Sequence, residues 1–243
     1  MKIIVLGASG ATGRHVTDML LRRGHQVTII VRSVEKLPES FKHHRNLTTI
    51  AANLLELSDQ QIASHVRDCD AVASCLGHNI SFTGMYGHPR KLVVEAERRF
   101  CEAIKKTSTA AKPVKFVLMN SSGVSNRDLS EPISFGQKLV IGMLRLLLPP
   151  HKDNEMAADY LRTQIGQNNK HIEWTAVRPD GLIDEEAISP YKAVPSPTRS
   201  SIFDAGQISR INVAHFMSEL INDDTLWNKW KGQMPVLYRA SET

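Results

Sequence analysis

The stretch IIVLGASGATGR, residues 3–14, decides how this chain is read. Four apolar residues, Ile3-Ile4-Val5-Leu6, run into a segment with three glycines in eight residues, Gly7, Gly10 and Gly13. Glycine has the most backbone freedom to lose on folding, so regular structure rarely gathers it. In a loop between a first strand and a first helix, each glycine has its own task. One makes the tight turn, one lets a phosphate approach the backbone, and one lets the helix pack on the strand. The free N–H groups and positive dipole end of the helix then face a pyrophosphate. Gly7, Ser9, Gly10, Ala11, Thr12 and Gly13 are the expected cradle, with Ser9 and Thr12 as hydroxyl donors.

The next apolar run, Gln26–Val31, ends about twenty residues past the loop, where a site for NAD wants Asp or Glu on the ribose 2′-hydroxyl. Here Arg32 stands instead, followed by Ser33, with Lys36 one turn on. A cationic fork suits a 2′-phosphate, and an ionic hydrogen bond of roughly 1.5–3 kcal/mol is enough to select NADP(H). Asn53 and Leu54 fall where the chain would pass the adenine. Cys75, Leu76 and Gly77, at the end of the fourth strand, fall where the nicotinamide half would run.

Around these residues the chain alternates between two periods. Short apolar or β-branched runs at Lys2–Leu6, Gln26–Val31, Leu47–Ala51, Ala71–Cys75 and Val114–Met119 are separated by helical patterns at Ala11–Arg23, Asp59–Val66 and Pro89–Lys106. Such alternation predicts a Rossmann-type, doubly wound and mostly parallel α/β sheet with helices on both faces. Helices are expected near Phe135–Leu148 and Lys152–Gly166, then a strand at Ile172–Pro179. Asp180–Gly206 reads as a substrate-side loop, Asn212 as the cap of a late helix, and Trp227 and Trp230 as core residues on one helical face. The expected organisation is a single domain over 1–243, with a cofactor half at 1–123 and substrate-side and C-terminal elements at 124–243.

Of the 243 residues, 42% are hydrophobic and 23% charged, ordinary values for a soluble globular protein. No apolar run reaches the roughly 18 residues of a membrane span. The densest, Leu139–Pro150, is broken by Arg145 and two prolines and is expected to serve the core. The first apolar run is too short for a secretory signal. Cys69, Cys75 and Cys101 have no paired spacing and read as reduced, small apolar side chains. A cytoplasmic location is expected, with no metal, nucleic acid or membrane partner. The net charge of +5 permits an anionic ligand.

Taken together, Gly7–Gly13, Arg32, VLMNSSG (residues 117–123), VRPDGL (residues 177–182) and INVAHFM (residues 211–217) resemble an NADP-binding member of the atypical short-chain dehydrogenase/reductase superfamily. The similarity runs closest to NAD(P)H-binding, NmrA-like and flavin- or biliverdin-reductase-like proteins. It implies that Ser121 and Pro179 lie beside the nicotinamide. Enzymes of the superfamily pair a serine here with Tyr-x-x-x-Lys on the next helix, the tyrosine moving the proton. Ser121 or Ser122 fits the serine, but the tyrosine and lysine positions fall at about His151 and Glu155, so that pair is absent. Tyr86, Tyr160, Tyr191 and Tyr238 are weaker candidates. His151 and His78 are sensible proton donors near neutral pH, and Asp153 and Glu155 are expected to face the N-terminal dipole of their own helix.

Three functions follow from the resemblance. The first is NADPH-dependent reduction of a planar or aromatic acceptor, a flavin, quinone or tetrapyrrole, which needs little help from a protein acid. The second is a catalytically silent NADP(H) sensor with a protein partner. The third is a nucleotide-sugar epimerase or dehydratase.

Overall fold

β1 (Lys2–Leu6) is buried along all but its first residue because both its faces are covered. Ile4 and Leu6 join one apolar cluster, with Ile62, Phe100, Phe116 and Trp174. Ile3 and Val5 join another, with Leu20, Val117, Phe216 and Trp227. That split is the two-residue period of a strand sandwiched between helical layers. The computed structural model describes residues 1–78, 90–108, 112–131 and 135–240.

The elements follow the alternation expected of the sequence. After β1 come α1 (Gly13–Arg22), β2 (Gln26–Val31), the single turn α2 (Glu39–Lys42), β3 (Leu47–Ala51), α3 (Asp59–Val66), β4 (Ala71–Ser74), α4 (Leu92–Thr107) and β5 (Val114–Met119). Then come α5 (Phe135–Leu147), α6 (Pro149–Tyr160), a π-helical turn at Leu161–Ile165, and β6 (Ile172–Pro179). β7 (Gly181–Ile183), β8 (Tyr191–Val194), β9 (Gln207–Ser209), α7 (Arg210–Asn222), α8 (Asp224–Trp230) and β10 (Val236–Arg239) complete the chain. The main sheet runs β3-β2-β1-β4-β5-β6-β10-β8. All its pairings are parallel except that of β10 with β8. The chain winds outward from β1 to β3 on one side and from β4 onward on the other. The order therefore reverses between β1 and β4, the position at which open parallel sheets bind ligands.

The three glycines divide their tasks as the sequence implies. Gly7 turns with φ +77°, and a Cβ on it would lie 2.5 Å from the Cys75 carbonyl oxygen. A Cβ on Gly13 would lie 2.2 Å from the Gly7 carbonyl oxygen, so α1 rests directly on the loop backbone. At Gly10 the nearest atom would be the Gly7 oxygen at 3.1 Å, leaving that position open toward the cleft.

Beyond β5 the fold turns on Arg178, which is fully buried in β6. Its guanidinium donates to the carbonyls of Met234 (2.7 Å) and Val124 (2.9 Å) and to Glu131 Oε1 (2.7 Å). One side chain thereby ties β6 to the segments before β10 and after β5. Both tryptophans of α8 are buried, at 2% and 3% exposure, and close the core as expected.

Three local expectations are corrected. The late helix is capped by Ser209, whose hydroxyl accepts from the Asn212 N–H, while Asn212 is buried and binds Ser189. Asp180–Gly206 is not a bare loop: it holds β7 and β8, and β7 pairs with β9 in a small second sheet. α5 does not simply fill the core: Ile141 is buried, but Met143 and Leu147 are each 54% exposed.

One core residue opposes the general pattern. Glu97, on α4 against α6, is buried with neither carboxylate oxygen hydrogen-bonded among the described residues. Burial, and then the charge of Asp153, push its pKa well above the ordinary 4.5. A carboxyl with a raised folded-state pKa keeps a proton that the unfolded chain releases. Stability contributed this way falls as pH rises above the unfolded value.

Two outcomes are expected. Gly13→Ala should lower unfolding free energy by about 3 kcal/mol, because backbone must move to admit the methyl, whereas Gly10→Ala should stay within about 1 kcal/mol of the parent; urea melts compare them. Glu97→Gln should gain on the parent as pH rises from 5 to 8, with a slope of up to about 1.4 kcal/mol per pH unit; parallel melts at several pH values give the slope.

Candidate functional site

The reversal of strand order opens a cleft of about 260 Å³ at the carboxyl end of the sheet. Its floor comes from the turn after β1, through Gly7, Ser9 and Gly10, and from the exit of β4, through Cys75, Leu76 and Gly77. The outer wall is Arg32 after β2 and Asn53 and Leu54 after β3. Ile30 and Val31 at the end of β2, Ala52 after β3 and Leu92 at the start of α4 complete the lining; Ala52 and Leu92 are residues the sequence reading did not single out. Nine residues expected to touch a dinucleotide thus meet around one cavity. Ala11, Thr12, Gly13, Ser33, Ser121 and Pro179 are not among its lining residues. Thr12 is buried, the Ser33 hydroxyl donates to Glu35, and Pro179 is inside the sheet, its carbonyl accepting from the Ser122 N–H at 3.0 Å.

The donor set suits a dinucleotide. The Arg14 and His15 N–H groups at the start of α1 bond back to the Gly10 and Thr12 carbonyls, and Gly10 leaves room for a phosphate beside the N–H groups that precede them. Arg32 is exposed at the cleft and forms no ion pair among the described residues. Asn53 is oriented from behind: its carbonyl oxygen accepts from the Leu55 N–H, and its amide donates to Glu56.

Next to this cleft, at the end of β5, lie the residues considered for proton transfer. Asn120 Oδ1 accepts from the Ser121 N–H at 2.8 Å, while Asn120 Nδ2 donates to the Asn154 carbonyl of α6 at 2.9 Å. Ser121 Oγ accepts from the Gly123 N–H at 3.2 Å. A Cβ on Gly123 would lie 3.6 Å from Ser121 Oγ and 3.7 Å from His151 Cε1, ordinary contact distances, so serine and imidazole both face the Gly123 corner. Ser122 turns the other way, its hydroxyl donating to Asp180 Oδ1 at 3.0 Å. Of the two serines, Ser121 is therefore the one grouped with His151.

His151 opens α6 behind Pro149 and Pro150, residues that favour a first helical turn. Its Nε2 is 3.5 Å from Glu155 Oε1, one helical turn on, and forms no hydrogen bond among the described residues. Glu155 also accepts from Arg145 Nε at both oxygens, 2.9 and 2.7 Å. Burial opposes its ionisation, yet His151 and the Arg145 guanidinium hold its carboxyl down at about 2. Neither Asp153 nor Glu155 faces the dipole of its own helix, which corrects that expectation. Asp153 instead caps α4: its carboxylate accepts from the Val93 and Val94 N–H groups at 2.8 and 3.1 Å, and from His78 Nε2 at 2.8 Å.

That bond locks His78, whose side chain is 5% exposed, as a strap from the exit of β4 to α6. The tyrosines among the described residues are engaged elsewhere. Tyr160 donates to Glu102, burial and nearby acidic groups raising its pKa. Tyr191 meets His215 Nδ1 at 2.7 Å and is pushed up to about 12 by burial. Tyr238 accepts from the Thr198 N–H. Tyr86 lies outside the described residues, as do the rest of 79–89. The cysteines are free and buried.

Comparison with known proteins agrees with this geometry. An uncharacterised chloroplast protein of Arabidopsis thaliana is 27% identical over 220 residues, 90% of this chain and 71% of that protein. A structure described as a putative NADH-flavin reductase from Streptococcus pneumoniae superposes with TM-score 0.67 at 21% identity, covering 99% of this chain and 100% of that one. A short-chain dehydrogenase/reductase of Veillonella parvula, solved in complex with NADP, superposes with TM-score 0.69 at 16% identity over 99% and 95% of the two chains. The model of the NAD(P)H-binding family matches residues 7–224, from the first glycine of the loop to the start of α8. With its glycine cradle, its switch-point cleft and that match over most of its length, the chain belongs to the NAD(P)H-binding family.

Proposed function

We propose that the protein is an NADPH-dependent reductase of a planar acceptor, a flavin, quinone or tetrapyrrole-like molecule, with His151 as its proton-handling group and Ser121 beside it. The observation that carries this reading is the corner at the end of β5, where His151 and Ser121 both face Gly123 next to the switch-point cleft. A protein that only held the cofactor would need no titratable group there. The structure described as a putative NADH-flavin reductase and the one solved with NADP are consistent with this reading.

Gly7, Ser9 and Gly10 would hold the diphosphate, Asn53 and Leu54 the adenosine, Arg32 the 2′-phosphate, and Leu76 and Gly77 the nicotinamide half. When bound, NADPH supplies two electrons and one hydrogen as a hydride; the acceptor's second hydrogen must come as a proton. The Cε1–Nδ1 edge of His151 faces the Gly123 corner, and Nε2 faces Glu155. Glu155, kept ionised by Arg145, orients the ring and favours a proton on Nε2, so the imidazolium would release its proton from Nδ1 toward the acceptor. Flavins and quinones also take protons from water, so His151 is expected to modulate the rate rather than decide it. A second reading, a silent NADP(H) sensor, is kept as an outcome of the test.

NADPH oxidation with a panel of FMN, riboflavin, a soluble quinone and biliverdin should show turnover with at least one acceptor. Micromolar NADPH binding with no oxidation across the panel would favour the sensor. Arg32→Ala should weaken NADPH binding by roughly ten- to hundredfold, the worth of an ionic hydrogen bond, and NADH binding by less than about threefold, read by titration calorimetry. Equal losses would reject the 2′-phosphate assignment.

A further inference from the structure

We infer that the cavity beside α4 and α6 is a seat for an acidic group of the acceptor, held by Lys91 and Lys152. The inference rests on the reductase reading and names the acceptor's charge. The cavity measures about 280 Å³, with Pro149 and Met156 as apolar lining and Arg90, Lys91, Lys152 and Arg145 as its cations. Its acidic residue, Asp153, is fully buried, and both its oxygens are taken by the α4 N–H groups and His78. Arg145 is partly neutralised by Glu155. Lys91 and Lys152 are exposed, and neither reaches a carboxylate within ion-pair distance among the described residues.

Position connects this cavity to the reaction. Lys91 lines it, and the next residue, Leu92, lines the dinucleotide cleft. Lys152 lines it, and the preceding residue, His151, stands at the Ser121 corner. Pro149, Lys152, Asp153 and Met156, spaced by three, four and seven residues, form one face of α6, and His151 and Glu155 lie about a third of a turn round the helix from it. A planar molecule reaching the His151 corner could extend an acidic tail round α6 onto Lys91 and Lys152, which form no ion pair among the described residues. The apolar lining beneath them would cover the tail's carbon atoms and lower the local dielectric, which strengthens the charge contact.

FMN and riboflavin isolate this question, since they share a ring system and differ by one phosphate. The protein is saturated with NADP⁺, and binding of each flavin is followed by quenching of flavin fluorescence. The parent should bind FMN at least about tenfold more tightly than riboflavin, with the gap shrinking as salt is raised. Lys91→Ala/Lys152→Ala should lose that preference while binding NADP⁺ as the parent does, the fold check. Lys170→Ala, which removes a charge just before β6, should keep it. Equal flavin affinities in the parent, or a preference that survives in the double variant, would overturn the inference. This readout needs no turnover. A charge preference without NADPH oxidation would support the seat and sink the reductase, and oxidation without a charge preference would do the reverse.

Discussion

The contact between the backbone of Gly7 and the first residue of α1 is the constraint on which the rest is built. A Cβ at Gly13 would sit 2.2 Å from the Gly7 carbonyl oxygen, closer than any side chain can approach. Helix and strand are pressed together at that point, and the turn between them has to curl upward through Gly7 and Gly10. On its other side Gly7 leaves no more room: a Cβ there would meet the Cys75 carbonyl at 2.5 Å. One glycine therefore fixes the turn against α1 and against the exit of β4 at once. The gap between β1 and β4 is where strand order reverses, so the same constraint shapes the walls of the cleft. Enlarging Gly7 or Gly13 would act on packing before it acted on ligand.

A second set of interactions assembles the side of the molecule that would meet the acceptor, and it is ionic. Arg178 gathers the strands beyond β5 with a guanidinium that touches no water. Asp153 gathers α4, α6 and the exit of β4 through three charge-assisted bonds. Buried charges of this kind add little net stability, because desolvation consumes most of their attraction. They do impose geometry, since each bond has one distance and one direction. Glu97, without a partner beneath Asp153, is the cost of concentrating acid there. A clasp that fixes the start of α6 also fixes His151, two residues before Asp153.

How much of this was legible in the sequence depends on how far apart the cooperating residues stand. β1, β2, β3, β5 and β6 occupy the spans expected, and β4 ends one residue early, because an apolar run bounded by turn residues is a local signal. The cleft was legible for the same reason: each wall is the few residues that follow a strand, and Arg32 could be read from its distance to the loop. β7, β8 and β9 are three or four residues long and set among prolines and serines, too short for a period to emerge. α5 carries an apolar composition that composition alone assigns to the core, while the structure leaves Met143 and Leu147 in solvent. Asp153 was read against the dipole of its own helix, the nearest one in sequence. Its partners are the N–H groups of a helix some sixty residues away, which no spacing rule connects to it.

The absent Tyr-Lys pair takes on a different meaning once α6 is seen beside β5. A tyrosine needs a neighbouring cation to lower its pKa before it can exchange a proton near neutrality. An imidazole needs no such help, because its ordinary pKa already lies there. What it does need is a fixed orientation, and a carboxylate supplies that where an ammonium would repel its charged form. For His151 to do a tyrosine's work, as proposed, would call for an acid one turn on, and Glu155 stands at that position, 3.5 Å away. A carboxylate so placed must itself stay ionised despite burial, which is what Arg145 secures with two bonds to its oxygens. Under the proposed role of His151, changing the proton carrier would invert the sign of the residue behind it and bring in a third group from α5. His151, Glu155 and Arg145 would then form a consistent alternative to the familiar pair.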